Sequence, residues 1–188
     1  SEYVDQSSGV SARMSISAYE NFLSNIERRA IVAGDQGDEL YPRVCDLYAI
    51  IPAITGKVEL VYEGEQEGPV LVAHNLIGKA ISTVFQRQFP APAKEKKRGD
   101  GKPVENPYEP VIDWFSSGKK LELSDDVPYD EYRQRLMSVA GLNAIVKRYG
   151  NTRDQRELLL LMELVLEGLH HHNLIAREAA DSIVRYGD

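Results

Sequence analysis

One cysteine, Cys45, is all the thiol chemistry in the chain, which excludes an internal disulfide and fits a reducing compartment. No run of about 18 apolar residues is present, so no stretch reads as a membrane-spanning helix, and the start carries no charged-then-apolar signal segment. A cytoplasmic protein without a membrane partner is the expectation. Positive charge is also short, since 22 Lys and Arg against 29 Asp and Glu leave a net charge of -7. That disfavours nucleic acid, because neutralising phosphates needs a concentrated basic face. The one dense basic run, KEKKRGDGK from Lys94 to Lys102, has no apolar periodicity and reads as a solvated loop.

Catalytic signatures are missing too. The sequence has no G-x-x-x-x-G-K-[ST] phosphate loop, no G-x-S-x-G elbow, no H-E-x-x-H and no C-x-x-C pair. Cys45, beside Val44 and near Leu47, reads as a small core residue rather than a nucleophile. The run His170-His171-His172 suggests a metal at first sight. Successive helical residues point about 100° apart, however, so three adjacent imidazoles do not face one ion. A helix C-terminus, where histidine suits the negative end of the dipole, is the plainer reading, and no metal ligands are assigned. Carboxylates in YEGEQEGP and SDDVPYDEY are explained by solvation and capping.

What is present is helical spacing. With 188 residues, 43% of them hydrophobic, the chain is long enough for one core or two small ones. After Ser15 the residues Ile16, Tyr19, Phe22, Leu23, Ile26 and Ala30 predict a helix buried on one face, with Ser17 and Glu20 as a capping box and Gly34 at its end. Asp46 is expected to cap a second helix running through Thr55. Beyond it, KVELVYE is compatible with a short strand, because Pro52 and Gly56 oppose an unbroken helix. Pro69 should open a third helix reaching Phe85. Residues 90–107, rich in Pro, Lys and Gly, read as a mobile linker between a region 1–89 and a region 108–188. Past it come a short helix at EPVIDWF, a minimal strand around Leu121 and Leu123, a helix from Pro128, and RELLLLMELVLEGL as a central helix packed on every side. A last amphipathic helix is expected from Ile175 to Tyr186. The fold class is mainly α, with at most a minimal β element and no parallel sheet.

Arg13 is the candidate site residue. It follows Gly9 and small residues and stands beside a helix N-terminus, where backbone donors favour anions and a guanidinium fork matches phosphate oxygens. A surface arginine in an ion pair is the alternative.

Two segments, SSGVSARMSISAYENFLSNIERRA and YPRVCDLYAIIPAITGKVELVYEGE, resemble the C-terminal part of AAA+ ATPases of the MoxR and magnesium-chelatase-like group. The resemblance covers Val4 to Gln88, with a weaker echo in DWFSSGKKLELSDDVP and LVLEGLHHHNLI. It implies a helical lid that follows a nucleotide-binding core, with Arg13 at the position of the sensor 2 arginine that reaches the ATP phosphates. It also implies ATP and Mg2+ as cofactors of a parent protein, and as partners that protein's own core domain, neighbouring ring subunits and an unidentified client. The phosphate loop, acidic magnesium-binding segment and arginine finger of such a core are absent from these residues. The chain alone is therefore expected to be catalytically inactive and to hold no cofactor. Since it opens on Ser1 rather than methionine, it is expected to be a piece of a longer protein. Two rival readings stand beside this one: a free-standing, non-catalytic helical interaction module, and a histidine-dependent metalloprotein.

Overall fold

The computed structural model describes residues 12–37, 40–92, 106–180 and 183–187. The Gly9 turn and the whole Lys94–Lys102 run lie outside the described residues, as does most of the expected linker. The fold is mainly helical with a small three-stranded antiparallel sheet, and packing divides the chain into two compact units, Ser1–Ile81 and Ser82–Asp188. The change falls inside a helix.

In the first unit, α1 (Ala12–Ala33) begins earlier than the sequence pattern suggested and closes at Gly34, whose φ of 77° is the left-handed conformation glycine tolerates. Ala12, Arg13 and Met14 are all good helix formers, so nothing halts the helix at Ser15. The expected capping box is thereby displaced: Ser17 and Glu20 sit within the helix, not at its start. The expected apolar face also splits. Ile26 and Ala30 are buried, but Ile16, Tyr19 and Leu23 are 59%, 62% and 40% exposed, and the fully buried side chain among them is Arg29.

Residues Val44–Ile50 form a 3₁₀ helix that runs directly into α2 (Ile51–Thr55), and α1 packs against both. Pro52 sits in the first turn of α2, where its missing N–H costs nothing. Asp46 is therefore inside the 3₁₀ helix rather than capping an α-helix, and the KVELVYE segment forms no strand of its own before α3 (Tyr62–Glu67). Helix α4 (Pro69–Gln88) starts at the proline that predicted it and carries Val72, Ala73, Ile77 and Ile81 as its buried positions in this unit.

The second unit is organised around α8 (Gln155–His171). Its N-cap Asp154 accepts a 2.8 Å hydrogen bond from the Arg156 backbone N–H. The Arg156 side chain and backbone hold that carboxylate well below the usual range. Leu158, Leu159 and the unbroken run Leu161–Leu169 are buried, which accounts for the all-round apolar pattern. Helices α6 (Tyr129–Met137) and α7 (Leu142–Tyr149) pack against α8, after α5 (Glu109–Ser116) and β1 (Leu121–Ser124).

Phe85, at the end of α4, belongs to this unit and stacks near Phe89, Tyr108 and His172 at 5.6, 5.9 and 5.9 Å. The Tyr108 hydroxyl donates to the Pro90 carbonyl at 2.6 Å, so the described flanks of the expected linker are joined.

The chain from Ile175 onward is not the expected helix. It forms β2 (Arg177–Ala180) and β3 (Ile183–Tyr186), and β3 lies between β2 and β1 with Tyr186 opposite both Arg177 and Leu121. The left-handed Asn173 (φ 57°) turns the chain away from α8, and Ile183, Val184 and Tyr186 favour a pleated surface. Over so short a stretch the apolar positions suit either period, and pairing with β1 decides the matter.

Candidate functional site

Arg13 lies in the first described turn of α1 and is exposed. The structure brings Lys57 to the same turn. Its Nζ donates to the Ser17 hydroxyl oxygen at 2.6 Å and lies 3.3 Å from the Arg13 carbonyl oxygen, across 40 and 44 residues of sequence. Two cationic residues thus come together in the first described turns of α1. Guanidinium and ammonium groups in general fit phosphate oxygens by charge and by donor count. Lys57 escapes sequence reasoning because its partners are remote; the only signal was its place in AITGK, one of the stretches carrying the resemblance.

What fixes α1 behind this end is a buried ionic network. Arg29 (0% exposed) donates from Nε to Asp46 Oδ1 at 3.1 Å, from Nη2 to Asp46 Oδ2 at 3.2 Å, and from Nη2 to the Tyr41 carbonyl at 2.7 Å. Asp46, equally buried, also accepts from Asn25 Nδ2 at 2.9 Å and from the Arg43 backbone N–H at 2.8 Å. Arg43 Nη2 reaches Asp35 at 3.3 Å, and Asp35 stands 3.9 Å from Arg29 Nη1. The network therefore joins α1, the turn after it and the 3₁₀ helix through buried charges that hydrogen-bond to one another. Cys45 is half-buried among these elements.

A second polar cluster lies in the other unit. Glu163 and Glu167 project from α8 into its buried surroundings, 4% and 1% exposed. Tyr132 donates to Glu163 at 2.8 Å, while Tyr186 and Arg177 donate to Glu167 Oε1 at 2.6 and 2.7 Å. Burial, reinforced by the two carboxylates, pushes the Tyr186 phenol well above its ordinary value, and burial does the same to Tyr108. Both phenols hold their protons more tightly folded than unfolded. The folded state thus binds more protons from about pH 10 upward, and stability must fall as pH rises through that range. We expect Tyr108 and Tyr186 to ionise only as the protein unfolds, in a near-ultraviolet phenolate titration of the ten tyrosines. Tyr186→Phe should flatten the alkaline loss; an unchanged slope would contradict that assignment.

The histidines end α8, His170 and His171 in its last turn and His172 at its C-cap. His170 Nδ1 lies 3.4 Å from the Ile175 carbonyl, and His172 packs beside Phe85. Desolvation pushes the His171 imidazole below its ordinary value, partly offset by Glu167 four residues earlier. The rings thus meet different surroundings, and among the described residues no group of three or more His, Cys, Asp or Glu side chains is placed to hold a metal ion. Among the same residues no helix is long and apolar enough to cross a membrane.

Compared with known proteins, the chain matches no family model, no curated protein and no solved structure.

Proposed function

We propose that the chain is the lid-like and helical C-terminal portion of a cytoplasmic, ATP-driven remodelling ATPase of the magnesium-chelatase-like kind. In this reading Arg13 senses the nucleotide phosphates held by a core domain encoded outside these residues. The observation that supports the reading is that Lys57 Nζ lies 3.3 Å from the Arg13 main-chain carbonyl oxygen in the first described turn of α1, on the segments that bear the resemblance. ATP supplies the transferable phosphoryl group when bound to that core. Arg13 then contributes a preorganised donor toward negative charge on the phosphates, and the buried Arg29–Asp46 network keeps its helix from yielding. The chain alone turns over no nucleotide.

Arg13→Ala in the full-length gene product is expected to lower ATP turnover on the order of 100-fold, the scale of removing one oriented donor. Turnover equal to wild type would overturn the assignment.

A second reading, a non-catalytic helical interaction module, draws support from the exposed stripe Ile16, Tyr19 and Leu23 on α1. Apolar residues spaced three and four apart offer a partner helix or groove its anchors. Such a module forms its complex without nucleotide, and Arg13→Ala leaves that complex intact.

A further inference from the structure

Helix α1 turns two kinds of side chain to solvent along one face. Ile16, Tyr19 and Leu23, spaced three and four apart, are 59%, 62% and 40% exposed. Glu20 lies one turn beyond Ile16 and Glu27 one turn beyond Leu23, and both are exposed. Among the described residues neither carboxylate is paired with a cation. The other flank of the stripe runs into the protein's own core, since Phe22 is half-buried and Ile26 is buried. An apolar stripe with one charged flank is half of a helix pair, in which the apolar residues form the seam and the flanking charges choose the partner. The face is also held in place. The Arg29–Asp46 network fixes α1 from behind, and Lys57 Nζ meets the Ser17 hydroxyl on another side of the helix. A surface already ordered loses little freedom when it is covered.

Charge decides what can cover it. Residues 1–81 hold six Lys and Arg against twelve Asp and Glu, so most of the net charge of -7 belongs to this unit. A second copy would bring two such acidic surfaces together and be repelled. A helix with Lys or Arg beside its own apolar stripe instead gives both carboxylates a partner. We infer that the exposed stripe of α1 docks a cationic amphipathic helix of another protein. Its apolar residues pack on Ile16, Tyr19 and Leu23, and its basic residues meet Glu20 and Glu27. This choice of partner rests on the second reading above, in which the stripe is a docking face, and nucleotide plays no part in it.

A synthetic three-heptad peptide with leucine along its seam and lysine on both flanks serves as the probe, with its glutamate-flanked counterpart as the control. Fluorescence anisotropy against the whole chain reads both. The lysine peptide should bind, more weakly as salt rises, and the glutamate peptide should not. Glu20→Lys/Glu27→Lys should weaken the lysine peptide about tenfold and admit the glutamate peptide. Leu23→Ser and, independently, Ile16→Ser should each weaken the lysine peptide by a similar factor; both sites are exposed, so the fold survives. Equal binding of the two peptides, lost in Leu23→Ser, would overturn the cationic partner and leave the stripe a docking face. A dimer of the chain alone, seen by sedimentation and dissolved by Leu23→Ser, would do the same. Lysine-peptide binding untouched by both serine variants, or no binding of either peptide, overturns the docking face as well.

Discussion

Replacing Asp46 by alanine is expected to cost about 3–5 kcal/mol of stability, the scale of breaking a buried ion pair from one side. The size follows from what the substitution strands. Arg29 is fully buried, and its guanidinium directs two of its hydrogen bonds at the Asp46 carboxylate. Without that carboxylate the charge stays in a desolvated site, with Asp35 3.9 Å from its Nη1. Asn25 and the Arg43 backbone N–H lose their acceptor in the same stroke. Asp46→Asn, which keeps one acceptor oxygen, should lose less. An Arg29→Met/Asp46→Leu pair should recover much of the loss, because no isolated charge remains buried. Urea unfolding followed by far-ultraviolet circular dichroism measures the series. A loss below about 1 kcal/mol for Asp46→Ala would mean that water reaches Arg29 and that the network does not hold α1.

The second large effect is expected at the contact between Phe85 and Gly168. Phe85 is 0% exposed, and truncating it to alanine should cost about 3–5 kcal/mol, since a cavity opens among Phe89, Tyr108 and His172. Gly168 is the complementary half of the contact. Glycine in the middle of a helix is a liability of about 1 kcal/mol relative to alanine, yet here the ring lies where a Cβ would go. A Cβ built at Gly168 would come within 2.4 Å of Phe85 Cδ2 and Cγ. Gly168→Ala should therefore destabilise by about 2 kcal/mol despite its better helix propensity, the usual cost of forcing a packed core apart. Combined with Phe85→Ala the same change should become neutral or stabilising, because the obstructing ring is gone. Thermal unfolding of the two single variants and the double variant decides the point. Strict additivity would show that the ring and the glycine are not in the contact described.

Much of this architecture was legible in the residues. Pro69 announced α4, EPVIDWF announced α5, and the alternation of Leu121 and Leu123 announced β1, because each signal is local: a fixed φ, a helical period, a two-residue period. RELLLLMELVLEGL announced a helix buried on all sides, although not the two glutamates it carries inward, which are acceptable there because Tyr132, Tyr186 and Arg177 meet them. The errors share a cause. Ile175–Tyr186 became a hairpin because β1, more than fifty residues earlier, offers an edge to β3. Ile16, Tyr19 and Leu23 are exposed while Arg29 is buried because the 3₁₀ helix supplies Asp46 to that part of α1. Tertiary partners overrode local pattern in both places.

The candidate site was legible in half. Arg13 could be singled out by its setting beside a helix start, whereas Lys57 reaches that setting only once α2 packs on α1. The second segment of the resemblance contains Lys57 but did not single it out.

The central claim is that Arg13 reads a phosphate held elsewhere in the same protein. ATP hydrolysis by the full-length gene product, wild type against Arg13→Ala, tests it most directly. The account predicts measurable hydrolysis that falls on the order of 100-fold in the variant, with the variant still folded. A full-length protein that hydrolyses no ATP, or one that hydrolyses it equally well without Arg13, would contradict the account and favour the interaction module.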